Sequence, residues 1–176
     1  MSKEITTDAT PLIIDTEAPE CGLYIILPDT HDHDKQCFKL GQALHAANRF
    51  SNYALNRHIV EFRPHPENAV PERVVKTYQE TSYKNGFIFL VMDDARLARE
   101  VDADGVVCSS IQKATEARKI LSEESIIGLR CCTKSAAKSA LDHSLDFITI
   151  YSDKNGDSLL DILNWWTTAT DNPIAV

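Results

Sequence analysis

Short apolar runs alternate with amphipathic stretches along most of the chain. The runs are rich in β-branched and aromatic residues, and several are apolar at consecutive positions, which is typical of strands buried on both faces. Seven such runs predict strands: Leu23 to Leu27, Ile59 to Phe62, Phe87 to Met92, Gly105 to Cys108, Ile126 to Leu129, Phe147 to Tyr151 and Pro173 to Val176.

The six stretches between these runs carry apolar residues at helical spacing and predict helices. Their apolar positions are Phe38, Leu40, Ala43, Leu44 and Ala47; Val70, Val74, Val75 and Tyr78; Leu97, Ala98 and Val101; Ala114, Ala117 and Ile120; Ala136, Ala137, Ala140 and Leu141; and Leu159, Leu160, Ile162, Leu163, Trp165 and Trp166. Pro71 stands at the start of the second helix, where its missing N–H costs little. We interpret the two tryptophans as packing between the last helix and the sheet.

The alternation of strands and helices predicts a parallel sheet. No Asn-Gly or Asp-Gly separates two strand runs, so the helices serve as crossover connections. The pattern fits an α/β fold of the TIM-type β/α barrel that is incomplete, with about seven strands and no eighth unit; an open parallel sheet is the alternative. We assign residues 21–176 to one β/α-barrel-like domain and residues 1–20 to a flexible N-terminal tail.

The charge balance narrows the classes of partner. The chain has 18 Lys and Arg against 26 Asp and Glu, a net charge of −8, so we expect neither nucleic acid nor an anionic membrane as partner. No apolar run approaches the roughly 20 residues of a membrane-spanning helix, and we find no secretory signal. The five cysteines show no C-x-x-C spacing, which favours free thiols and a cytoplasmic location.

Charged side chains follow several predicted strands, at the strand ends where both candidate architectures place their chemistry. They are Arg63 and His65, Asp93 and Asp94, Arg130, and Lys154. Two neighbouring carboxylates beside these cations could hold Mg²⁺ and a phosphate, because Mg²⁺ prefers one or two carboxylates with substrate phosphate oxygens and guanidinium pairs well with phosphate. The alternative is that the Asp pair caps the helix that follows.

The segment Leu90 to Val106, LVMDDARLAREVDADGV, resembles the thiamine-phosphate synthase (TenI-like) family, in which an Asn-Asp or Asp-Asp pair ends the third strand. Its form of the motif is similar to the D-D-x-R-I-A of the alphaproteobacterial branch. Other segments follow in the family's order. They are Val60 to Arg63 for Val-Gln-Leu-Arg, Ile126 to Leu129 for Ile-Ile-Gly-Val, Asp146 to Ile148 before the sixth strand, the pair Trp165-Trp166, and Pro173-Ile174.

This resemblance implies small-molecule phosphate substrates. The family joins a hydroxymethylpyrimidine diphosphate to a thiazole phosphate with the help of Mg²⁺ and releases pyrophosphate, so the protein must mainly position its substrates and neutralise the leaving group. At the matching positions, Arg63 would bind the diphosphate, Asp94 would bind Mg²⁺ and Asp93 would help to hold substrate. Lys154 is placed at the diphosphate lysine by a looser match, and His65 stands at a position that is basic in the family.

Several positions depart from the family's pattern. The second magnesium carboxylate is Gln112 or missing, the fifth-strand Ser is Arg130, the sixth-strand Gly-Pro is Thr149-Ile150, and no glycine follows Gly156, although the family needs Gly-Gly after its seventh strand. These changes leave three hypotheses. The chain is a synthase-like protein whose activity is retained, weak or lost; a non-catalytic barrel relative that binds a phosphate compound or a protein partner; or an unrelated phosphate-binding α/β domain. Uncovered edges of a seven-stranded sheet leave homo-oligomerisation open.

Overall fold

Parallel strands and helices alternate along the chain, as the sequence predicts. The structure is a computed structural model that describes residues 22–50, 58–65 and 70–176, so the predicted tail over residues 1–20 lies outside the described residues. The strands are β1 (Tyr24–Pro28), β2 (Ile59–Arg63), β3 (Ile88–Met92), β4 (Gly105–Cys108), β5 (Ile126–Cys131), β6 (Phe147–Ile150) and β7 (Ile174–Ala175). The helices are α1 (His33–Phe50), α2 (Glu72–Lys84), α3 (Ala95–Glu100), α4 (Ile111–Ile120), α5 (Lys134–Asp142) and α6 (Leu159–Ala169).

The sheet is curled. Its strand order is β1-β2-β3-β4-β5-β6-β7, and every neighbouring pair is parallel. Although four strands lie between β1 and β6, the rings of Tyr24 and Phe147 on those strands meet with centroids 6.3 Å apart. Such a contact needs strong curvature toward one face, so the sheet is a half-barrel and the incomplete-barrel prediction is confirmed over the open flat sheet.

The helices cover the convex face of the sheet and form the main core with it. Val60, Phe62 and Phe89 are fully buried there, and so is Trp166, whose Nε1 donates a hydrogen bond to the carbonyl of Asn172 at 2.8 Å. The interpretation of the tryptophans as helix–sheet packing is therefore confirmed for Trp166. A Trp that is buried usually needs such a partner for its N–H.

Three residues of the predicted helix stripes are exposed, namely Phe38, Ala43 and Leu160, so the prediction is wrong at these positions. Phe38 is 66% exposed, whereas Gln36, Leu40 and Leu44 on the same helix are buried. The buried positions recur every four residues and define one face of α1. Phe38, two residues from Gln36 and from Leu40, lies about half a turn away and points to the opposite side.

The concave face carries a smaller apolar cluster. Leu90, Val107 and Phe147 are buried in it, and Tyr24 and three isoleucines pack against them. The Phe147 ring lies directly over Gly128, because a Cβ added at Gly128 would come within 2.4 Å of that ring. This cluster forms a floor beneath the carboxyl ends of the strands.

Short side-chain caps start the helices that follow β3, β4 and β5. Asp94 Oδ1 accepts from the N–H of Leu97 at 2.9 Å, Ser110 Oγ from Lys113 at 3.3 Å, and Thr133 Oγ1 from Ala136 at 3.1 Å. Each cap satisfies an N–H group that has no partner inside its helix. Across the described ranges, no helix combines the length and the apolar character needed to cross a membrane.

Candidate functional site

The carboxyl ends of the strands meet along one rim of the curled sheet. Phe62 on β2 pairs with Val91 on β3, and Met92 pairs with Val107 on β4. Arg63 directly follows Phe62, and Asp93 directly follows Met92. The strands β2 and β3 therefore bring Arg63 and Asp93 to the same edge of the sheet. His65, Asp94 and Lys154 also follow strand ends, and Arg130 is the penultimate residue of β5. The topology therefore places all six predicted site residues on this rim.

A buried carboxylate holds Arg63. Glu61 is fully buried on the concave side of β2, and its Oε2 accepts a hydrogen bond from the Tyr24 hydroxyl at 2.6 Å. Arg63 donates from Nε to Glu61 Oε1 and from Nη2 to Oε2, the latter at 3.3 Å. Burial of the phenol and the negative charge of Glu61 raise the pKa of Tyr24 above its ordinary value. Arg63 therefore reaches the rim as one half of an ion pair.

Asp93 is fixed by its backbone conformation and by two donors. Its φ of 60° lies in the left-handed region, which Asp and Asn adopt more readily than most residues. Oδ1 accepts from the N–H of Ser109 at 2.7 Å, and Oδ2 pairs with the ammonium of Lys113 at 2.8 Å. Although burial acts to raise it, the bonds from Lys113 and Ser109 hold the pKa of Asp93 below its usual value.

Asp94 acts as the N-cap of α3, which is the structural alternative that the sequence left open. Its Oδ1 is used in this bond to Leu97, and its other oxygen has no hydrogen-bond partner in the described part of the chain. Gln112, at the position of the second magnesium carboxylate, contacts Glu116 at 3.3 Å. Among residues 22–50, 58–65 and 70–176, no group of three or more His, Cys, Asp and Glu side chains could hold a metal ion. The donors present fit Mg²⁺ only where a substrate phosphate supplies most of the oxygens.

The other side of the rim carries Arg130, whose guanidinium carbon lies 4.1 Å from the centroid of the Tyr151 ring. Thr149 on β6 is the register partner of Arg130, and its buried Oγ1 has no hydrogen-bond partner among the described residues. Lys154 is exposed in the loop between β6 and α6, and His65 is exposed at the end of the segment 58–65.

Sequence reasoning placed Glu61 at the end of the second strand but gave it no role in this site. Positions i and i+2 of a strand point to the same face, so the opposite charges of Glu61 and Arg63 already indicated a pair. Separately, a cavity of about 280 Å³ opens between α3 and α4 and is lined by Asp93, Asp94 and Lys113 among others. Neither Arg63 nor Arg130 lines it, so this cavity is distinct from the concave face.

Comparison with known proteins matches residues 23–152 to the family described as thiamine monophosphate synthase. The thiamine-phosphate synthase of Lactococcus lactis subsp. lactis (strain IL1403) is 32% identical over 78 residues, which are 44% of this chain and 36% of that protein. A solved structure, the thiamine phosphate pyrophosphorylase from Pyrococcus furiosus, superposes with a TM-score of 0.67 and 22% identity over 87% of this chain and 72% of that one. At this identity the structural likeness concerns the fold.

Proposed function

The chain belongs to the thiamine monophosphate synthase family, and from this premise we propose that it couples a hydroxymethylpyrimidine diphosphate to a thiazole phosphate at the rim of the half-barrel. The observation that carries the proposal is the placement of Arg63, Asp93 and Asp94 at adjacent strand ends. In the reaction, a nitrogen of the thiazole forms a bond to the pyrimidine methylene carbon as the bond from that carbon to the diphosphate oxygen breaks. Pyrophosphate leaves with the electron pair.

Arg63 is suited to hold the diphosphate even though it is paired with Glu61. A guanidinium has five N–H donors, and the bonds to Glu61 use one at Nε and one at Nη2. The remaining donors are available to phosphate oxygens, with the side chain held in place by Glu61 and still 24% exposed. Lys154 would add positive charge from the loop beyond β6, and His65 lies beyond β2 on the same rim.

Asp94 is the residue that would bind Mg²⁺, since one of its oxygens is not used by the cap. When bound, Mg²⁺ would stabilise the charge that develops on the departing diphosphate. Asp93 keeps the β3–α3 turn in the conformation that presents Asp94, because its left-handed backbone and its bond to Ser109 fix that turn.

A second candidate function is binding of a phosphate compound without turnover. It is favoured by the bonds that already occupy the carboxylates: Asp93 pairs with Lys113, Asp94 caps α3, and Gln112 replaces a carboxylate that the family's pattern requires. In that case the rim retains its cations but gives little assistance to the leaving group.

A coupling assay separates the two functions. The protein is incubated with both precursors and Mg²⁺, and thiamine phosphate and pyrophosphate are quantified. Asp94→Ser is the informative variant, because Ser preserves the N-cap but removes the carboxylate. We expect the wild type to form product. In Asp94→Ser and in Arg63→Ala we expect a rate at least tenfold lower, which corresponds to an activation free energy higher by about 1.4 kcal/mol.

If the wild type forms no product, calorimetric titration with pyrophosphate decides between the alternatives. Binding that weakens in Arg63→Ala supports the second function. Absence of both product and binding contradicts both functions.

A further inference from the structure

On the concave face of the described strands, one cation has no ionic partner. Alternation along the described strands places three charged residues on the concave face, namely Glu61, Arg63 and Arg130. Glu61 and Arg63 neutralise each other. Arg130 makes no hydrogen bond or ion pair with any described residue. Its guanidinium carbon lies over the Tyr151 ring, 4.1 Å from the ring centroid. The concave face therefore presents a net positive charge at the end of β5.

A buried hydroxyl beside Arg130 also has no partner. Thr149 is only 6% exposed, and within the described ranges its Oγ1 has no hydrogen-bond partner. Thr149 and Arg130 are register partners on neighbouring parallel strands, so their side chains are on the same face. Buried polar groups in native structures are nearly always hydrogen-bonded, and one that is not calls for an explanation such as a ligand.

We propose that Arg130 and Thr149 form an anion subsite that binds a phosphate group of the ligand, which rests on the proposed function in taking that ligand to be phosphorylated. The contact with the Tyr151 ring uses no N–H group of the guanidinium in a hydrogen bond to a described residue, so the N–H edge is left for phosphate oxygens. A phosphate group can accept two bonds from that edge and still offer a third oxygen to the Thr149 hydroxyl. The subsite is on β5 and β6 and is separate from Arg63 on β2.

The surrounding loops hold the subsite in one shape. The N–H of Tyr151 donates to the carbonyl of Cys131 at 3.1 Å, and the N–H of Asp157 donates to that of Cys132 at 2.8 Å. Gly156 lies so close to the Cys132 carbonyl that an added Cβ would be 2.5 Å from its oxygen. Because the β5–α5 and β6–α6 loops are joined in this way, Tyr151 is kept beside Arg130 before any ligand arrives.

Both residues of the subsite stand at positions where this sequence departs from its family's pattern. In the family that the sequence resembles, a Ser stands at the position of Arg130 and a Gly-Pro at Thr149-Ile150, and neither supplies a positive charge.

Calorimetric titration of the full chain with inorganic phosphate, and separately with pyrophosphate, tests the subsite. We expect Arg130→Ser to weaken phosphate binding by about tenfold or more, and Arg130→Lys to weaken it less, because the charge remains while the paired N–H edge is lost. Arg99→Ser removes an exposed cation from α3 and should leave phosphate binding unchanged.

Thr149→Val supplies a readout that a purely structural role would not give. Removing a buried hydroxyl that has no partner should leave the thermal unfolding midpoint unchanged or raise it. We expect this variant to be as stable as the wild type or more so, and yet to bind phosphate severalfold more weakly. A Thr149→Val variant that is equally stable and binds phosphate equally well would overturn the role of Thr149.

The outcomes separate this inference from the proposed function. If the wild type binds phosphate but forms no thiamine phosphate, and Arg130→Ser loses the phosphate binding, the result supports the subsite and contradicts the reaction. Coupling that proceeds while Arg130→Ser binds phosphate as tightly as the wild type overturns the subsite and leaves the reaction standing. A wild type that binds neither phosphate nor pyrophosphate overturns the subsite as well.

Discussion

Replacing Glu61 by Leu removes the carboxylate that joins Tyr24 to Arg63. In the structure Glu61 is fully buried, accepts from the Tyr24 hydroxyl at 2.6 Å and pairs with Arg63. Leu is close in size and apolar, so the variant removes the charge and both acceptors without opening a large cavity. The hydroxyl of Tyr24, a partly buried residue, then lies without its hydrogen-bond partner.

Two contributions set the expected loss of stability. Leaving a buried hydroxyl unpaired costs about 1–3 kcal/mol. Removing one member of a buried ion pair costs about 3–5 kcal/mol, but the Arg63 side chain is 24% exposed and can turn toward water, so this range is an upper bound. We expect the free energy of unfolding to fall by about 3 kcal/mol, which corresponds to a melting temperature lower by about 6–12 °C.

Urea unfolding followed by circular dichroism measures this loss, with the slope of the transition checked against that of the wild type. The double variant Tyr24→Phe/Glu61→Leu is the matched control. Because it no longer contains an unpaired phenol, it should regain about 1 kcal/mol relative to Glu61→Leu. A Glu61→Leu variant as stable as the wild type, or a double variant less stable than the single one, would contradict this prediction.

Three further predictions concern the strand ends and the buried thiols. Asp93→Ala should lower the free energy of unfolding by about 2 kcal/mol, because it removes the acceptor for the N–H of Ser109 and places Ala at a φ of 60°. Asp93→Asn should lower it clearly less. Equal losses for the two variants in urea unfolding would contradict this prediction. Asp94→Ala should cost about 1 kcal/mol and Asp94→Ser only a few tenths, since Ser can cap α3; a Ser variant as unstable as the Ala variant would show that the cap contributes nothing. Burial raises the pKa of Cys108 and of Cys131 to about 12 from an ordinary value of 9.0. Between pH 9.0 and about 12, unfolded thiols release their protons while the buried thiols of the folded protein keep theirs, so the stability that these thiols contribute is complete below pH 9.0 and is lost as pH rises toward 12. The free energy of unfolding should therefore fall with pH in this range, and it should fall less steeply in Cys108→Ala and in Cys131→Ala. An unchanged slope in these variants would contradict the prediction.

The fold was accessible from the sequence because its signals are local. Strands such as β3 and β4 are apolar at consecutive positions, and each is followed by a residue that caps the next helix, as Asp94 and Ser110 do. The curvature of the sheet is different, because the contact between Tyr24 and Phe147 that reveals it joins residues more than a hundred positions apart. No local pattern encodes it.

The candidate site was predictable as a set of positions but not as a set of contacts. Strand ends identify which residues reach the rim, and the structure places the predicted ones there. What the sequence left open was the partner of each: Arg63 pairs with Glu61, Asp93 with Lys113, and Arg130 stacks on Tyr151. The pairs that involve separate elements depend on side-chain rotamers and loop geometry, which a spacing argument does not contain.

Both the proposed function and the anion subsite require that a phosphorylated ligand binds at the carboxyl-end rim of the half-barrel. A crystal structure of the protein with pyrophosphate and Mg²⁺ tests this most directly. We expect pyrophosphate density on the concave side of that rim, within hydrogen-bond distance of Arg63 or Arg130. Density confined to another surface, or an empty rim in crystals grown at a saturating pyrophosphate concentration, would contradict it.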